Sequence, residues 1–168
     1  MNDASEQQNQ STEKKTRSTL LLIIAILVIA SALVGWLGIP GTGGGSMPAK
    51  VVASAGKVTI PLAGLNDGQA HFYSYDAQGG TISFFVIKGK DGTIRAAFDA
   101  CDVCYQEKKG YKQQGEEMIC KNCNQAFSVA KIGTVSGGCN PSPLNATLTG
   151  ATLEITVGDL EAGAHYFR

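Results

Sequence analysis

Five cysteines lie in one stretch of the chain, and their spacing limits what that stretch can become. The order is Cys101-x2-Cys104, fifteen residues, Cys120-x2-Cys123, fifteen residues, then Cys139. A two-residue gap lets both sulfurs of a pair face one ion while backbone amides turn toward them. Two such knuckles brought face to face supply four thiolates in a tetrahedron. Thiolates suit zinc, or iron as a single ion or a cluster.

The compartment is set by a second feature. Leu20 to Ile39 reads LLLIIAILVIASALVGWLGI and contains no charged residue. As a helix, twenty residues span about 30 Å, the thickness of a bilayer's hydrocarbon core. Trp36 stands near the outer end, where an amphipathic ring suits the headgroups. Lys14, Lys15 and Arg17 precede the span, and residues 40–60 carry only Lys50 and Lys57. That asymmetry predicts a cytoplasmic N-terminus and an extracytoplasmic C-terminal domain, in a single-pass protein of the cell membrane. A cleaved signal peptide is the alternative, with Ala30-Ser31-Ala32 as its cleavage site, but the apolar run continues past it to Ile39. Both readings export the domain.

The rest of the chain divides around this segment. Residues 1–18 read as a polar, disordered cytoplasmic tail and 19–39 as the anchor. Residues 40–48 form a Gly-rich linker, and 49–168 a cysteine-rich β domain with its metal site within 98–144. The expected fold is mainly β, with an irregular cysteine-rich insertion. Strand-like runs occur at Lys57–Leu62, Ala70–Asp76, Thr81–Lys88, Thr93–Phe98 and Ala151–Val157, with a last short one at Ala164–Phe167. Lys90-Asp91-Gly92 predicts a hairpin turn. Ala100–Leu144 reads as irregular, with a short helix starting near Asp102 or Gln125. Leu65–Tyr73 and Leu160–Phe167 echo each other, each with a glycine, then Ala-His and two aromatics, as two strands after turns would. With 14 basic and 14 acidic residues the chain has no net charge and no basic stripe, which argues against nucleic acid as a partner.

Outside the cytoplasm thiols tend to oxidise, so a disulfide framework or a redox-active dithiol competes with the metal reading. Five is an odd number, and no thioredoxin-like βαβ pattern surrounds either pair. Covalent haem needs His after the second cysteine, and here Tyr105 and Asn124 follow. His71 and His165 sit in aromatic runs and read as packed residues before ligands. Met118 reads as core. Tyr105 and Tyr111 either cover the centre or simply pack. Asp99 and Asp102 read as turn residues, and Lys108, Lys109 and Lys112 as a solvated face. Asn145-Ala146-Thr147 matches a glycosylation sequon, a weak signal. No nucleophile–base pair or carboxylate dyad stands out, so catalytic turnover is not expected.

The stretch from Phe98 to Leu144 resembles the FtrD-like membrane iron–sulfur proteins. The resemblance is carried by Asp99-Ala-Cys-Asp-Val-Cys-Tyr105, Lys109-Gly-Tyr111, Ile119-Cys-Lys-Asn-Cys123, Ile132-Gly133 and Gly137-Gly-Cys-Asn-Pro141. It extends more loosely from Ala70-His-Phe-Tyr73 through Phe84-Phe85 to the end. What it implies is a membrane-associated metal protein carrying an iron–sulfur cluster or iron, linked to high-affinity iron uptake with an iron permease. Cys101, Cys104, Cys120 and Cys123 match the family's paired cysteines and are the expected metal ligands; Cys139 matches its fifth, as a ligand to a second metal, a replaceable ligand or a structural thiol buried in a tight turn. Many relatives carry several membrane spans before this domain, whereas this chain shows one. Three functions follow as expectations. They are an iron–sulfur electron-transfer module serving a membrane redox partner, a structural zinc ribbon, or a thiol–disulfide or metal-delivery protein.

Overall fold

A computed structural model describes residues 47–168. The tail, the anchor and most of the linker expected at the N-terminus lie outside the described residues. Among the described residues no helix is long and apolar enough to cross a membrane.

The architecture is mainly β and is organised around one doubly buried strand. The described residues form ten strands: β1 (Ala49–Val51), β2 (Lys57–Pro61), β3 (His71–Ala77), β4 (Gly80–Lys88), β5 (Ile94–Phe98), β6 (Tyr111–Gln114), β7 (Glu117–Cys120), β8 (Ala126–Ser128), β9 (Thr147–Thr149) and β10 (Thr152–Thr156). They form a four-stranded sheet β1-β3-β4-β5, a three-stranded sheet β2-β10-β9 and a second three-stranded sheet β6-β7-β8. All pairings are antiparallel except β1 with β3.

Strand side chains alternate between faces, so a strand buried on both sides reads as a continuous apolar run. The run Ile82–Ile87 of β4 shows this. Ile82, Phe84 and Val86 enter one core with Val58, Ile60, Leu153 and Ile155 of the β2-β10 pair. Phe85 and Ile87 enter another with Tyr111, Met118, Cys101, Cys104 and Cys120. The central sheet therefore separates an aliphatic layer from a layer in which cysteine supplies part of the core.

Local chemistry sets the register. In β2, Val58 and Ile60 point inward between exposed neighbours and face Ile155 and Leu153 of β10. The β4–β5 hairpin forms at Lys90-Asp91-Gly92 as predicted. There Gly92 takes φ +77°, and Asp91 accepts from the Thr93 amide and holds both ends of the Arg95 guanidinium, at 2.9 and 2.6 Å.

Three expectations are corrected. The stretch 100–144 is not wholly irregular, because β6, β7 and β8 form a sheet within it. Gln114 and Glu117 pair across a two-residue loop whose first position, Gly115, has φ +59°. The helix expected near Asp102 or Gln125 is replaced by short 3-10 turns at Tyr105–Glu107 and Val129–Lys131. Ala164–Phe167 is a 3-10 turn and not a strand. The echo is thus one of sequence only, since His71 opens β3 while His165 lies in that turn. A six-residue helix, α1 (Val157–Ala162), precedes it. The Thr156 hydroxyl caps α1 by accepting from the Asp159 amide at 3.0 Å.

Candidate metal centre

The first knuckle is the direct extension of β5. Phe98 ends the strand, and Cys101 and Cys104 follow in a tight turn. The Cys104 amide donates to Cys101 Sγ at 3.2 Å, which is the backbone-to-sulfur contact expected of a C-x2-C knuckle. The second knuckle extends β7. Cys120 ends that strand opposite Tyr111, and the chain reverses so that Asn124, at φ +59°, donates its amide to the Cys120 carbonyl. Amides of Asn122 and Cys123 point at Cys120 Sγ, and that of Gln125 at Cys123 Sγ.

Cys139 arrives by pairing along the free edge of β5. The Phe98 amide donates to the Ser142 carbonyl at 2.8 Å, and the Ser142 amide to that of Ala100 at 3.0 Å, around an antiparallel bridge between Ala97 and Pro143. Ser142 thus bonds both Phe98 and Ala100, which holds the arm along the chain that leaves β5 and leaves Cys139 beside the first knuckle. Gly137 and Gly138, at φ +90° and +61°, give the loop its curl. The Tyr111 hydroxyl fastens it, donating to the Cys139 carbonyl at 2.6 Å.

All five cysteines come together and none is in a disulfide. The sulfurs fall into two groups, Cys101/Cys104/Cys120 and Cys104/Cys123/Cys139, and within each all lie within 4.8 Å of one another. Cys104 and Cys139 Sγ are 3.6 Å apart. Thiolates about 2.3 Å from one ion in a tetrahedron stand about 3.8 Å apart, so the groups have the spacing of ligands sharing an ion. The electrostatics agree with the need for a cation. Burial pushes the Cys120 thiol up to about 11, against the pull of its two knuckle amides. Desolvation and the sulfurs of Cys123 and Cys104 push Cys139 up as well. Cys123 is exposed and is pulled below the ordinary thiol value, first by the Gln125 amide. Sulfurs this close resist carrying charge together until a metal replaces their protons.

Around the sulfurs, several side chains do more than the sequence suggested. Asp99 accepts from the Tyr111 amide at 2.6 Å, and burial holds its carboxyl up at about 7. Asp102 accepts from the Tyr166 hydroxyl at 2.5 Å, and that hydroxyl also meets Ser142 Oγ at 2.9 Å. This ties the C-terminal turn to both the first knuckle and the Cys139 arm. Lys108 donates to the carbonyls of Tyr166 and Arg168, so it clamps the C-terminus and is not a free solvated charge. Lys109 donates to Asn122 Oδ1 at 2.8 Å, joining the knuckles, while Lys112 is exposed. Tyr111 and Met118 are buried against the cysteines, and Tyr105 packs edge-on to Tyr166. Neither histidine joins them. His71 bonds Asp67 at 2.9 Å, and His165 lies over Tyr166. A cavity of about 230 Å³ is lined by Cys101, Cys104 and Cys120 together with Ser83, Asp99 and Lys108.

Gly110 shows how closely the knuckles are seated. At φ +65° it lies in the left-handed region, and a Cβ there would overlap the Asp99 carboxylate. Gly110→Ala is expected to cost about 3 kcal/mol, from left-handed strain and loss of the Asp99–Tyr111 hydrogen bond. The check is the denaturant midpoint against wild type.

Fold and site together define a β-rich domain with a five-thiolate cluster suited to a metal. The model of the family described as "membrane iron-sulfur containing protein FtrD-like" matches residues 65–167, and the chain belongs to that family. The match covers β3 to the C-terminal turn and all five cysteines. No curated protein and no solved structure matches the chain.

Proposed function

We propose that the protein is a membrane-anchored iron–sulfur electron carrier, held at the membrane by residues 20–39 with its β domain outside the cytoplasm. The observation that carries this reading is the convergence of all five cysteine sulfurs, at ion-sharing distances, in a chain of a membrane iron–sulfur family. Cys101, Cys104, Cys120, Cys123 and Cys139 would hold the metal. When bound, an iron–sulfur centre supplies reversible one-electron chemistry.

The protein's own residues set the conditions for that chemistry. Phe85, Met118 and Tyr111 keep one side dry, which together with the knuckle amides tunes the potential. Cys123 is exposed and Val103, within the first knuckle, is 64% exposed, so the other side is open to a partner. That partner is a membrane redox protein, with an iron permease as the candidate the family suggests.

The test is anaerobic purification of the full chain, followed by a visible spectrum and assays of iron and acid-labile sulfide. Colour that bleaches on reduction, with iron and sulfide both present, is the expected result. A colourless protein containing zinc would replace this reading with a structural zinc site. Metal-free protein with cysteines in disulfides would replace it with a thiol–disulfide function.

A further inference from the structure

The two groups of sulfurs overlap in one residue, and that overlap has chemical meaning. Cys101, Cys104 and Cys120 form an inner group with exposures of 1, 8 and 2%. Cys104, Cys123 and Cys139 form an outer group that is partly exposed. A single tetrahedral ion uses four thiolates and leaves the fifth idle. Yet Cys139 is carried into contact with Cys104 by an edge pairing, two left-handed glycines and the Tyr111 hydrogen bond.

We propose that the thiolate frame has two metal positions, an inner and an outer, with the Cys104 sulfur bridging them. The ligands are thiophilic cations. For divalent ions the balance is two M2+ plus five thiols giving one M2(thiolate)5 unit of net charge −1 and five protons released to solvent. Cys104 suits the bridge because its sulfur alone belongs to both groups. The inner ion is enclosed by Phe85, Met118 and Tyr111, whose packing slows its exchange. The outer ion reaches solvent through Cys123, so it exchanges faster and is the weaker of the two. The inference rests on the metal-binding reading above and describes the thiolate frame loaded with divalent ions alone, without the sulfide that an iron–sulfur cluster brings.

The experiment uses the full chain in detergent, made metal-free under anaerobic reducing conditions and titrated with NMR-active cadmium. The expected result is two bound equivalents, the second weaker, giving two cadmium resonances split by coupling through a shared sulfur. Cys139→Ser is expected to lower the stoichiometry from two to one while keeping the tighter ion. Cys123→Ser is expected to do the same, and Cys104→Ser to abolish the coupling. The two outer variants leave the buried group intact, so they keep the test informative where Cys104→Ser fails to fold. Saturation of wild type at one equivalent, or two resonances without coupling, overturns the bridged pair and leaves a metal site standing. Absence of any cadmium binding overturns the pair and the metal-binding reading together. The identity of the native metal is tested separately by the iron and sulfide assays.

Discussion

Metal-free and reduced, the protein is expected to lose amide protection across residues 99–144 while the rest of the domain stays folded. The reason lies in the two cores. The aliphatic one, between β2-β10 and the near face of β4, contains no cysteine. The other counts Cys101, Cys104 and Cys120 among its ten buried members, so three thiols share with Phe85 and Ile87 the surface on which the sheet β6-β7-β8 packs. Each of that sheet's strands has only three or four residues, too few to be stable without outside support. Structural thiolate sites for zinc contribute about 10–16 kcal/mol of apparent binding free energy, and such energy is folding energy for the segments it organises. Hydrogen exchange with and without metal reads this directly. Protection should fall by several orders of magnitude in β6–β8 and far less in β3, β4 and β10. Uniform loss across the domain would show that the cysteine layer also holds the sandwich together.

The second large effect separates the two faces of β4. Phe84→Ala and Phe85→Ala each empty a fully buried aromatic site, and each is expected to cost about 3–5 kcal/mol. Their consequences for metal differ. Phe84 stacks on Tyr73 in the aliphatic layer. Phe85 touches Tyr111 in the cysteine layer, with ring centroids 6.3 Å apart, and Tyr111 in turn fastens the Cys139 loop. Phe85→Ala should therefore weaken metal affinity as well as stability, whereas Phe84→Ala should lower stability alone. Denaturant melts paired with chelator competition give both quantities.

These neighbours on one strand also show what the sequence made legible. TISFFVIK reads as a strand, and the structure explains its consecutive large apolar residues by burying it on both faces. The C-x2-C spacing announces two knuckles, and both are present with amides turned toward sulfur. Other features were hidden for physical reasons. Tyr111–Gln114 reads YKQQ and looks like loop, because only Tyr111 enters the core, while Gln113 accepts from the Ala70 amide and donates to the Gly68 carbonyl. Ala164–Phe167 looks like a strand from its aromatics, but the Asp102–Tyr166–Ser142 hydrogen bonds and the Lys108 clamp hold it as a turn. Those partners lie 24 to 64 residues away in sequence, beyond the reach of any local pattern. The α1 cap was nearer to hand, since Thr156 and Asp159 stand at the spacing of a capping pair. Cys139 stands between the two cases. Its place depends on the pairing of Ser142 with Phe98 and Ala100, which spacing alone does not reveal.

The central claim is that the protein's own ligands to the bound metal are sulfur alone, from these five cysteines. X-ray absorption at the metal edge of the anaerobically isolated protein tests it most directly. The account predicts a first shell fitted by sulfur only, at about 2.3 Å, for iron or for zinc. A shell requiring nitrogen, as from His71 or His165, or oxygen, as from Asp99, would contradict it.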